Sequence, residues 1–491
     1  MRLSSARARV RGVRSLSPDA IAELASESLD RRNPGLSAQR GWSRLQRLTV
    51  VCVGLVLFIG FAVVPLATAT VLVALVTAAH AAVLWHRVVL FTGSLRSVEM
   101  ESVSDAEARG FPRRNLPVYT VLVPVYREPT MVGRVLEEID RINYPRNRLE
   151  VLLLVEDDDE ETFEAHVDLD LPPYVLPVGI AVREPRTKPK ACNVGLMWAR
   201  GSLVTIYDAE DRPDPLQLRR AAVAFSRLPP HVACLQARLA YHNAEQNLLT
   251  RWFTNEYDVW FRFWLPGLVR AGHPIPLGGT SNHIRRKVLE RIGAWDPYNV
   301  TEDADLGVRL ARAGFGVRVL DSVTLEEANS DVVNWVKQRS RWYKGYLQTL
   351  LVHTRDPRRL VDELGPRGTA GFLLFVGGTP LLALLNPVLW TLSLLYLLSG
   401  SSQLAAIFPS PLYHLEMLVW LGGLTGSVYC SVLAARECGR ASLARSLLLL
   451  PAYWVLMSAA AVKAAVQMVT APSFWEKTVH GLDHAGPADP R

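Results

Sequence analysis

Residues 151–161 read Val-Leu-Leu-Leu-Val-Glu-Asp-Asp-Asp-Glu-Glu, an apolar run that passes directly into six acidic side chains. A short apolar run that ends in polar residues is consistent with a buried strand. The pattern recurs at Leu203–Tyr207, which leads into Asp208-Ala209-Glu210-Asp211, and Val118–Val125 is a third strand-like run. Amphipathic helical stretches separate these runs, so we predict βαβ units and an α/β fold with a mostly parallel sheet.

Both acidic clusters follow the carboxyl ends of predicted strands, which is where ligands bind in parallel α/β sheets. Six consecutive acids alone are typical of a solvated loop. Two clusters at one edge of a sheet would repel each other unless a cation or a donor-rich ligand lies between them. Asp208 and Glu210 offer two oxygens on one side of a turn, a spacing suited to Mg²⁺ or Mn²⁺. We therefore predict a metal site at Asp208 and Glu210, completed by diphosphate oxygens.

Two later segments carry further candidate chemistry. Thr301-Glu302-Asp303 precedes an amphipathic helix, where Thr301 or Asp303 could cap the helix or Asp303 could act as a general base. Residues 338–342 read Gln-Arg-Ser-Arg-Trp, which combines arginines suited to diphosphate oxygens with a flat face for a sugar ring. An interfacial helix whose arginines reach toward lipid headgroups is the alternative for this segment.

Two apolar blocks flank the soluble stretch. Thr49–Phe91 carries one formal charge, Arg87, and is broken by Pro65, which predicts two spans. With the second block, about 369–470, we favour four spans plus interfacial helices, and six spans stay open. Residues 1–47 hold ten arginines against four acids, so the positive-inside rule puts this arm in the cytoplasm against anionic lipid. No nucleic-acid motif accompanies the charge, and we predict no nucleic-acid binding.

The chain is therefore divided into five predicted segments. They are a basic cytosolic arm (1–47), a two-span hairpin (48–91), a cytosolic catalytic domain (92–352), interfacial and transmembrane helices (353–470) and a cytosolic tail (471–491). We expect a multi-pass protein of the plasma (inner) membrane whose catalytic domain faces the cytoplasm. The five cysteines show no metal-ligand spacing, so we expect reduced thiols that pack in the interior.

Taken in order, these segments resemble membrane-embedded family 2 glycosyltransferases of the processive kind, such as cellulose, hyaluronan and chitin synthases. The resemblance is strong over about residues 116–345 and looser in the membrane segments. The matching motifs are Val123–Glu128 at the first strand, Glu156-Asp157 at the uridine, Asp208-Ala209-Glu210 at the metal, Thr301-Glu302-Asp303 at the base, and Gln338, Arg341 and Trp342 in Gln-x-x-Arg-Trp. The implied fold is a GT-A-type nucleotide-binding domain inserted between α-helical transmembrane segments.

The resemblance also implies roles for single residues. The implied nucleotide-binding residues are Pro124, Tyr126, Glu128, Glu156, Asp157, Lys188, Lys190 and Asp208. The implied diphosphate and acceptor contacts are Gln338, Arg341, Trp342, Gly279, Thr280 and Ser281, and the implied catalytic residues are Thr301, Glu302 and the base Asp303. Trp475, Lys477 and Thr478 would belong to a gating loop over the nucleotide sugar; a tail anchored by an interfacial tryptophan is the alternative.

The implied activity is an inverting, metal-dependent hexosyl transfer from a nucleotide sugar, with UDP the expected nucleotide. Its acceptor would be a growing β-linked polysaccharide that crosses the bilayer as it is extended, with membrane or cell-surface proteins as further partners. Glu156 and Glu210 stand where the motifs carry Asp, so the donor sugar stays open. A non-processive transferase that adds one sugar to a lipid phosphate is the alternative enzyme, and an inactive membrane scaffold is the alternative outside catalysis.

Overall fold

The computed structural model describes residues 16–96, 99–167, 171–472 and 474–476. Within these residues one mixed sheet has the order β1-β9-β7-β8-β5-β2-β3-β4, with β6 paired to β9. The strands are β1 (Met100–Glu101), β2 (Tyr119–Val125), β3 (Leu149–Glu156), β4 (Val175–Ile180), β5 (Leu203–Ile206), β6 (Arg212–Pro213), β7 (Val232–Tyr241), β8 (Asn282–Arg285) and β9 (Gly316–Glu326).

Helices cover both faces of this sheet and continue into the apolar blocks. Those up to the middle of the chain are α1 (Pro18–Arg32), α2 (Arg44–Val63), α3 (Pro65–Arg96), α4 (Asp105–Gly110), α5 (Pro129–Asp140), α6 (Glu160–Val167), α7 (Lys188–Trp198) and α8 (Gln217–Arg227). The later ones are α9 (Leu248–Val259), α10 (Leu265–Ala271), α11 (Arg286–Arg291), α12 (Glu302–Arg312), α13 (Val332–His353), α14 (Pro357–Phe372), α15 (Gly378–Ser399), α16 (Ser402–Ile407), α17 (Leu412–Glu437) and α18 (Leu450–Thr470).

The three strands predicted from their apolar runs are neighbours in the sheet. β2 lies between β3 and β5 and is parallel to both, and β4 continues the parallel arrangement beyond β3. Only β8, which is antiparallel to β5 and β7, and the short β6 run against the other strands. The predicted α/β fold with a mostly parallel sheet is confirmed, and both acidic clusters follow strands that flank β2.

Every residue of β3 is buried because both of its faces are covered. Leu152 and Leu154 belong to the apolar cluster on one face, while Val151, Leu153 and Val155 belong to the cluster on the other. Side chains alternate between the two faces along a strand, so a strand between two helical layers needs apolar residues at every position. This requirement explains the uninterrupted apolar run in the sequence.

The described residues contain five helical segments long and apolar enough to cross a membrane, which identifies a membrane protein. These segments are Arg44–Val63, Pro65–Arg96, Pro357–Ser399, Leu412–Glu437 and Ala441–Thr470. The first two are separated at Pro65, where the sequence predicts the hairpin break. The number of segments that cross the bilayer, and the side on which each domain lies, stay predictions.

The described part of the N-terminal arm packs on the sheet domain. Asn193 on α7 donates a hydrogen bond to the carbonyl of Ala25 on α1 at 2.9 Å. After α1, the backbone amide of Ala38 donates to the buried carboxylate of Asp296 at 2.6 Å. All five cysteines are free thiols; Cys192 and Cys234 are buried as expected, but the expectation of interior packing is wrong for Cys52, which is exposed on the apolar helix α2.

Candidate active site

The carboxyl ends of the strands open into one cavity of about 620 Å³. Most of the residues singled out from the sequence line it, although they come from eight separate segments of the chain. They are Pro124, Tyr126, Glu128, Glu156, Lys188, Asp208, Glu210, Gly279, Thr280, Thr301, Glu302, Asp303, Gln338, Arg341, Trp342 and Trp475. The parallel sheet accounts for the residues at the ends of β2, β3 and β5, because its carboxyl edge collects the loops after each strand.

Three predicted residues do not line this cavity. Lys190 has no exposed side-chain surface and binds the Glu156 carboxylate at 2.9 Å and the Arg183 carbonyl at 2.9 Å. Ser281 is buried, and its hydroxyl shares a 2.7 Å hydrogen bond with Thr324. Asp157 follows β3 on the surface, outside the cavity lining. Lys477 and Thr478 lie outside the described residues.

Lys188 is the lysine that reaches the centre of the cavity. Its Nζ lies 2.5 Å from the Asp208 carboxylate and donates to the Gly279 carbonyl at 2.9 Å. Burial lowers the pKa of Lys188, but Asp208 and Glu302 raise it by more, so the net pKa lies above its ordinary value. Lys188 therefore carries a positive charge beside the acids at neutral pH.

Acidic side chains gather around the turn after β5. The Asp211 carboxylate accepts from the Asp208 amide at 2.8 Å and from the Thr280 hydroxyl. Its other oxygen, Oδ1, is buried without a hydrogen-bond partner among the described residues. Burial and the neighbouring Asp208 and Glu210 raise the pKa of Asp211 well above its ordinary range. A buried oxygen without a partner, among carboxylates that repel one another, fits a cation at this position.

Glu326, to which no role was assigned from the sequence, also lines the cavity beside these acids. Burial and the neighbouring Asp211 raise the pKa of Glu326 well above its ordinary range. The antiparallel pairing of β6 with β9 brings the end of β9 to the acidic turn. No local sequence pattern predicts that long-range pairing. The only local signal for Glu326 is that an acidic residue ends the segment that forms β9.

Asp303 lies in the first turn of α12. Thr301 is the N-cap residue of α12, but its side chain makes no capping hydrogen bond. The predicted capping role of the Thr301 side chain is therefore wrong. One Asp303 oxygen accepts from the Ala304 amide at 2.7 Å. Burial raises the pKa of Asp303 to about 6. Burial and the adjacent Asp303 raise the pKa of Glu302 to about 8, because two neighbouring buried carboxylates repel each other when both are ionised.

Helix α13 carries Gln338, Arg341 and Trp342 into the cavity. Gln338 accepts a hydrogen bond from Asn329 at 2.9 Å. The Arg341 guanidinium lies 4.7 Å from the ring centroid of Trp475, and burial lowers its pKa below the ordinary value. Glu302 and Asp303 raise the pKa of Arg341, which partly offsets the effect of burial.

The residues after α18 fold back onto α13. Lys344 donates to the Phe474 carbonyl at 2.5 Å, and Gln348 donates to the Pro472 carbonyl at 2.8 Å. Glu476 is paired with Lys463 of α18 at 2.7 Å. These contacts hold Trp475 over Arg341 at the wall of the cavity.

The cavity also continues between the long apolar helices. Along α17 its lining runs from Val419 to Ser431, roughly 18 Å at 1.5 Å per residue. Side chains from three other helices complete this part: Leu84 and Val88 of α3, Leu382, Asn386 and Trp390 of α15, and Trp454, Met457 and Ser458 of α18. The hydrocarbon core of a bilayer is about 30 Å thick, so this extension would reach well into it.

Comparison with known proteins gives a consistent assignment. The chain is 25% identical over 237 residues to the probable glycosyltransferase YdaM of Bacillus subtilis, covering 47% of this chain and 56% of that protein. It is 25% identical to the beta-monoglucosyldiacylglycerol synthase of Trichormus variabilis (53% and 55% covered) and 26% identical to glucomannan 4-beta-mannosyltransferase 2 of Arabidopsis thaliana (50% and 47% covered). The chain spans about half the length of these curated relatives.

Among solved structures, the mannosyltransferase PcManGT from Pyrobaculum calidifontis, in complex with GDP-Man and Mn²⁺, is 20% identical with a TM-score of 0.49, covering 81% of this chain and 98% of that one. Residues 203–466 match the family described as "Glycosyl transferase family group 2". That match spans more than half of the chain and includes residues 208–210, 301–303 and 338–342. The chain therefore belongs to glycosyl transferase family group 2.

Proposed function

We propose that the protein is an inverting, processive glycosyltransferase that extends a β-linked polysaccharide from a nucleotide sugar, with UDP as the nucleotide, and moves it across the plasma membrane. The observation that carries the proposal is the single cavity that joins Asp208, Asp303 and Trp342 to side chains of the apolar helices. A transferase that released a soluble product would not need that extension.

In this proposal Asp303 takes the proton from the acceptor hydroxyl. The hydroxyl oxygen then attacks the anomeric carbon from the face opposite the nucleotide, the bond to the diphosphate oxygen breaks, and its electron pair leaves with the diphosphate. The pKa of about 6 at Asp303 supports this role, because a base is most effective when its pKa lies near the working pH. Attack from the opposite face inverts the configuration and gives a β linkage from an α-linked donor.

Arg341 and Lys188 are proposed to bind the departing diphosphate. Both carry positive charge beside the catalytic acids, and arginine suits the geometry of phosphate oxygens. We assign this role to Lys188 rather than Lys190, because Lys188 lines the cavity, whereas the side chain of Lys190 is fully buried outside the lining. Tyr126, Glu128 and Glu156 would contact the nucleotide, and Trp342 would stack on the terminal sugar of the acceptor.

Asp208 and Glu210 are proposed to hold Mg²⁺ or Mn²⁺. The described residues contain no group of three His, Cys, Asp or Glu side chains arranged to ligate one ion. A site of one or two carboxylates completed by substrate phosphates is common for Mg²⁺, and the buried, unpartnered Asp211 oxygen supports it. The ion would neutralise negative charge on the diphosphate.

Trp475 is proposed to be part of a gate over the donor, since it lies on Arg341 at the cavity wall. The alternative function, transfer of a single sugar to a lipid acceptor, is favoured by one observation: the curated relatives include beta-monoglucosyldiacylglycerol synthases. An apolar extension of the cavity could take either a glycan or a lipid tail, so the product distinguishes the two.

The test uses the full chain in lipid nanodiscs with Mg²⁺ or Mn²⁺ and UDP-glucose, UDP-N-acetylglucosamine or GDP-mannose. Released nucleoside diphosphate and product length are measured. A long glycan from one donor supports the proposal, and a singly glycosylated lipid overturns processivity. EDTA should abolish turnover if the metal is required. Asp303→Asn should lose turnover but retain nucleotide binding; normal turnover in that variant would refute the proposed base.

A further inference from the structure

Three side chains from separate elements meet beside Trp342, and the mechanism above uses none of them. Arg339 of α13 donates two hydrogen bonds to Glu256 of α9, from Nη1 to Oε1 at 2.7 Å and from Nη2 to Oε2 at 2.5 Å. The hydroxyl of Tyr453 on α18 donates to the same Oε2 at 2.6 Å. All three side chains line the cavity.

The guanidinium of Arg339 also lies against an aromatic cluster. Its carbon is 4.5 Å from the ring centroid of Trp342, 5.1 Å from that of Trp335 and 5.3 Å from that of Phe253. Tyr257, the residue after Glu256, stacks with Trp342 at a centroid distance of 6.2 Å and an interplanar angle of 29°. The indole of Trp342 thus contacts both the guanidinium that Glu256 binds and the ring of the next residue, Tyr257.

Stability alone does not account for this arrangement. The Arg339 side chain is 7% exposed and that of Glu256 is 17% exposed, so both charges have lost most of their water. Buried ion pairs are often replaced by apolar residues without loss of stability. What a bidentate pair supplies is a fixed geometry, because the planar guanidinium sets both its own orientation and that of the ring stacked on it.

We propose that Arg339, Glu256 and Tyr453 are positioning residues that hold Trp342 at the angle required by the terminal sugar of the acceptor. This inference rests on the proposed transfer to an acceptor stacked on Trp342, and it adds the groups that define that contact. Because Tyr453 belongs to α18, the network joins the acceptor platform to a helix of the apolar part of the cavity.

Two variants test the proposal. Tyr453→Phe removes one hydrogen bond and keeps the ring. The double variant Glu256→Leu/Arg339→Met removes both charges at once, so that neither is left buried alone. The matched control is Asp258→Leu/Arg440→Met, which removes a 2.6 Å ion pair two residues further along α9 that does not line the cavity.

Kinetics are measured in nanodiscs at saturating donor, with cellohexaose, β-1,4-mannohexaose and dioctanoylglycerol as acceptor probes. Tyr453→Phe should raise the acceptor KM about twofold to tenfold, the value of one lost hydrogen bond. The double variant should raise it by more than about tenfold, since it also removes the cation stacked on the indole. Donor KM and Tm should stay close to wild type in both, and the control should leave acceptor KM unchanged.

A normal acceptor KM in both variants would overturn the proposal. It would also be overturned if donor KM and acceptor KM rose together with a loss of Tm, because that pattern belongs to a purely structural network. If the wild type forms no product with either oligosaccharide, or glycosylates only dioctanoylglycerol, the proposed function fails first, before the variants are compared.

Discussion

Gly345→Ala is the substitution whose effect follows most directly from the geometry. A Cβ at Gly345 on α13 would lie 2.6 Å from the Cβ of Thr301 and nearer still to its Oγ1 and Cγ2. Carbon atoms normally pack at about 3.5–4.0 Å, so α13 and the start of α12 would have to separate by about 1 Å. Asp303 is two residues beyond Thr301, and a displacement of about 1 Å at a reacting group can cost roughly 100-fold in rate.

The stability effect should be much smaller than the effect on rate. Overpacking costs about 1–3 kcal/mol, and replacing a helical glycine with alanine returns about 1 kcal/mol. The net change of about 0–2 kcal/mol should lower Tm by a few degrees. Gly133→Ala on α5 is the matched control, because no atom lies within 4 Å of its Cβ position.

Diphosphate release and nucleotide binding are measured for both variants in nanodiscs. Gly345→Ala should lose about two orders of magnitude in kcat with nucleotide binding retained, and Gly133→Ala should match the wild type. If Gly345→Ala keeps kcat within twofold of wild type, the contact between α13 and Thr301 does not position the base, and the reasoning is wrong.

Three further predictions follow from the site. Because burial raises the pKa of Asp303 to about 6, the base is protonated below that pH, and kcat/KM of the free enzyme should fall about tenfold per pH unit below 6; a profile flat down to pH 5 would exclude Asp303 as the base. Lys188→Met should lower kcat/KM about 100-fold at unchanged Tm. Lys190→Met should instead lower Tm, because it leaves the Glu156 carboxylate buried without its partner. The reverse pattern would contradict the assignment of Lys188 to the diphosphate. Trp475→Ala should raise donor KM about threefold, because it removes a cation–π contact of about 0.5–1 kcal/mol with Arg341. Isothermal titration with the nucleotide checks this. An unchanged nucleotide affinity would leave Trp475 as a tail anchor only.

The sheet and most of its ligand edge could be predicted from local sequence. A buried strand with helices on both faces must be apolar throughout, and residues 151–155 satisfy that requirement without reference to any other part of the chain. The acids that follow such strands then meet at one edge by topology alone. This is why Glu156, Asp208 and Glu210 could be grouped before their distances were known, whereas Asp303, which lies at the start of a helix, was grouped with them only through the family resemblance.

Other features depend on relations that are not local. Lys188 and Lys190 are two residues apart on one helix and therefore point in nearly opposite directions, but only the observed start of α7 shows which one faces the cavity. Glu326 reaches the acidic turn through the pairing of β6 with β9, more than a hundred residues apart in the chain. Glu256 and Tyr453 both contact Arg339 although 197 residues separate them in the chain, and no sequence spacing relates them.

The proposed positioning of Trp342 through Tyr453 has a consequence for biosynthesis. Tyr453 leaves the ribosome roughly a hundred residues after Arg339, a delay of about 5–20 s at typical translation rates. During that interval the nucleotide half of the domain can fold, whereas the acceptor platform still lacks the hydroxyl that completes it. A nascent chain would then be able to bind its donor before it can bind an acceptor. Acceptor binding would become possible only after α18, which lines the apolar part of the cavity, has been synthesised.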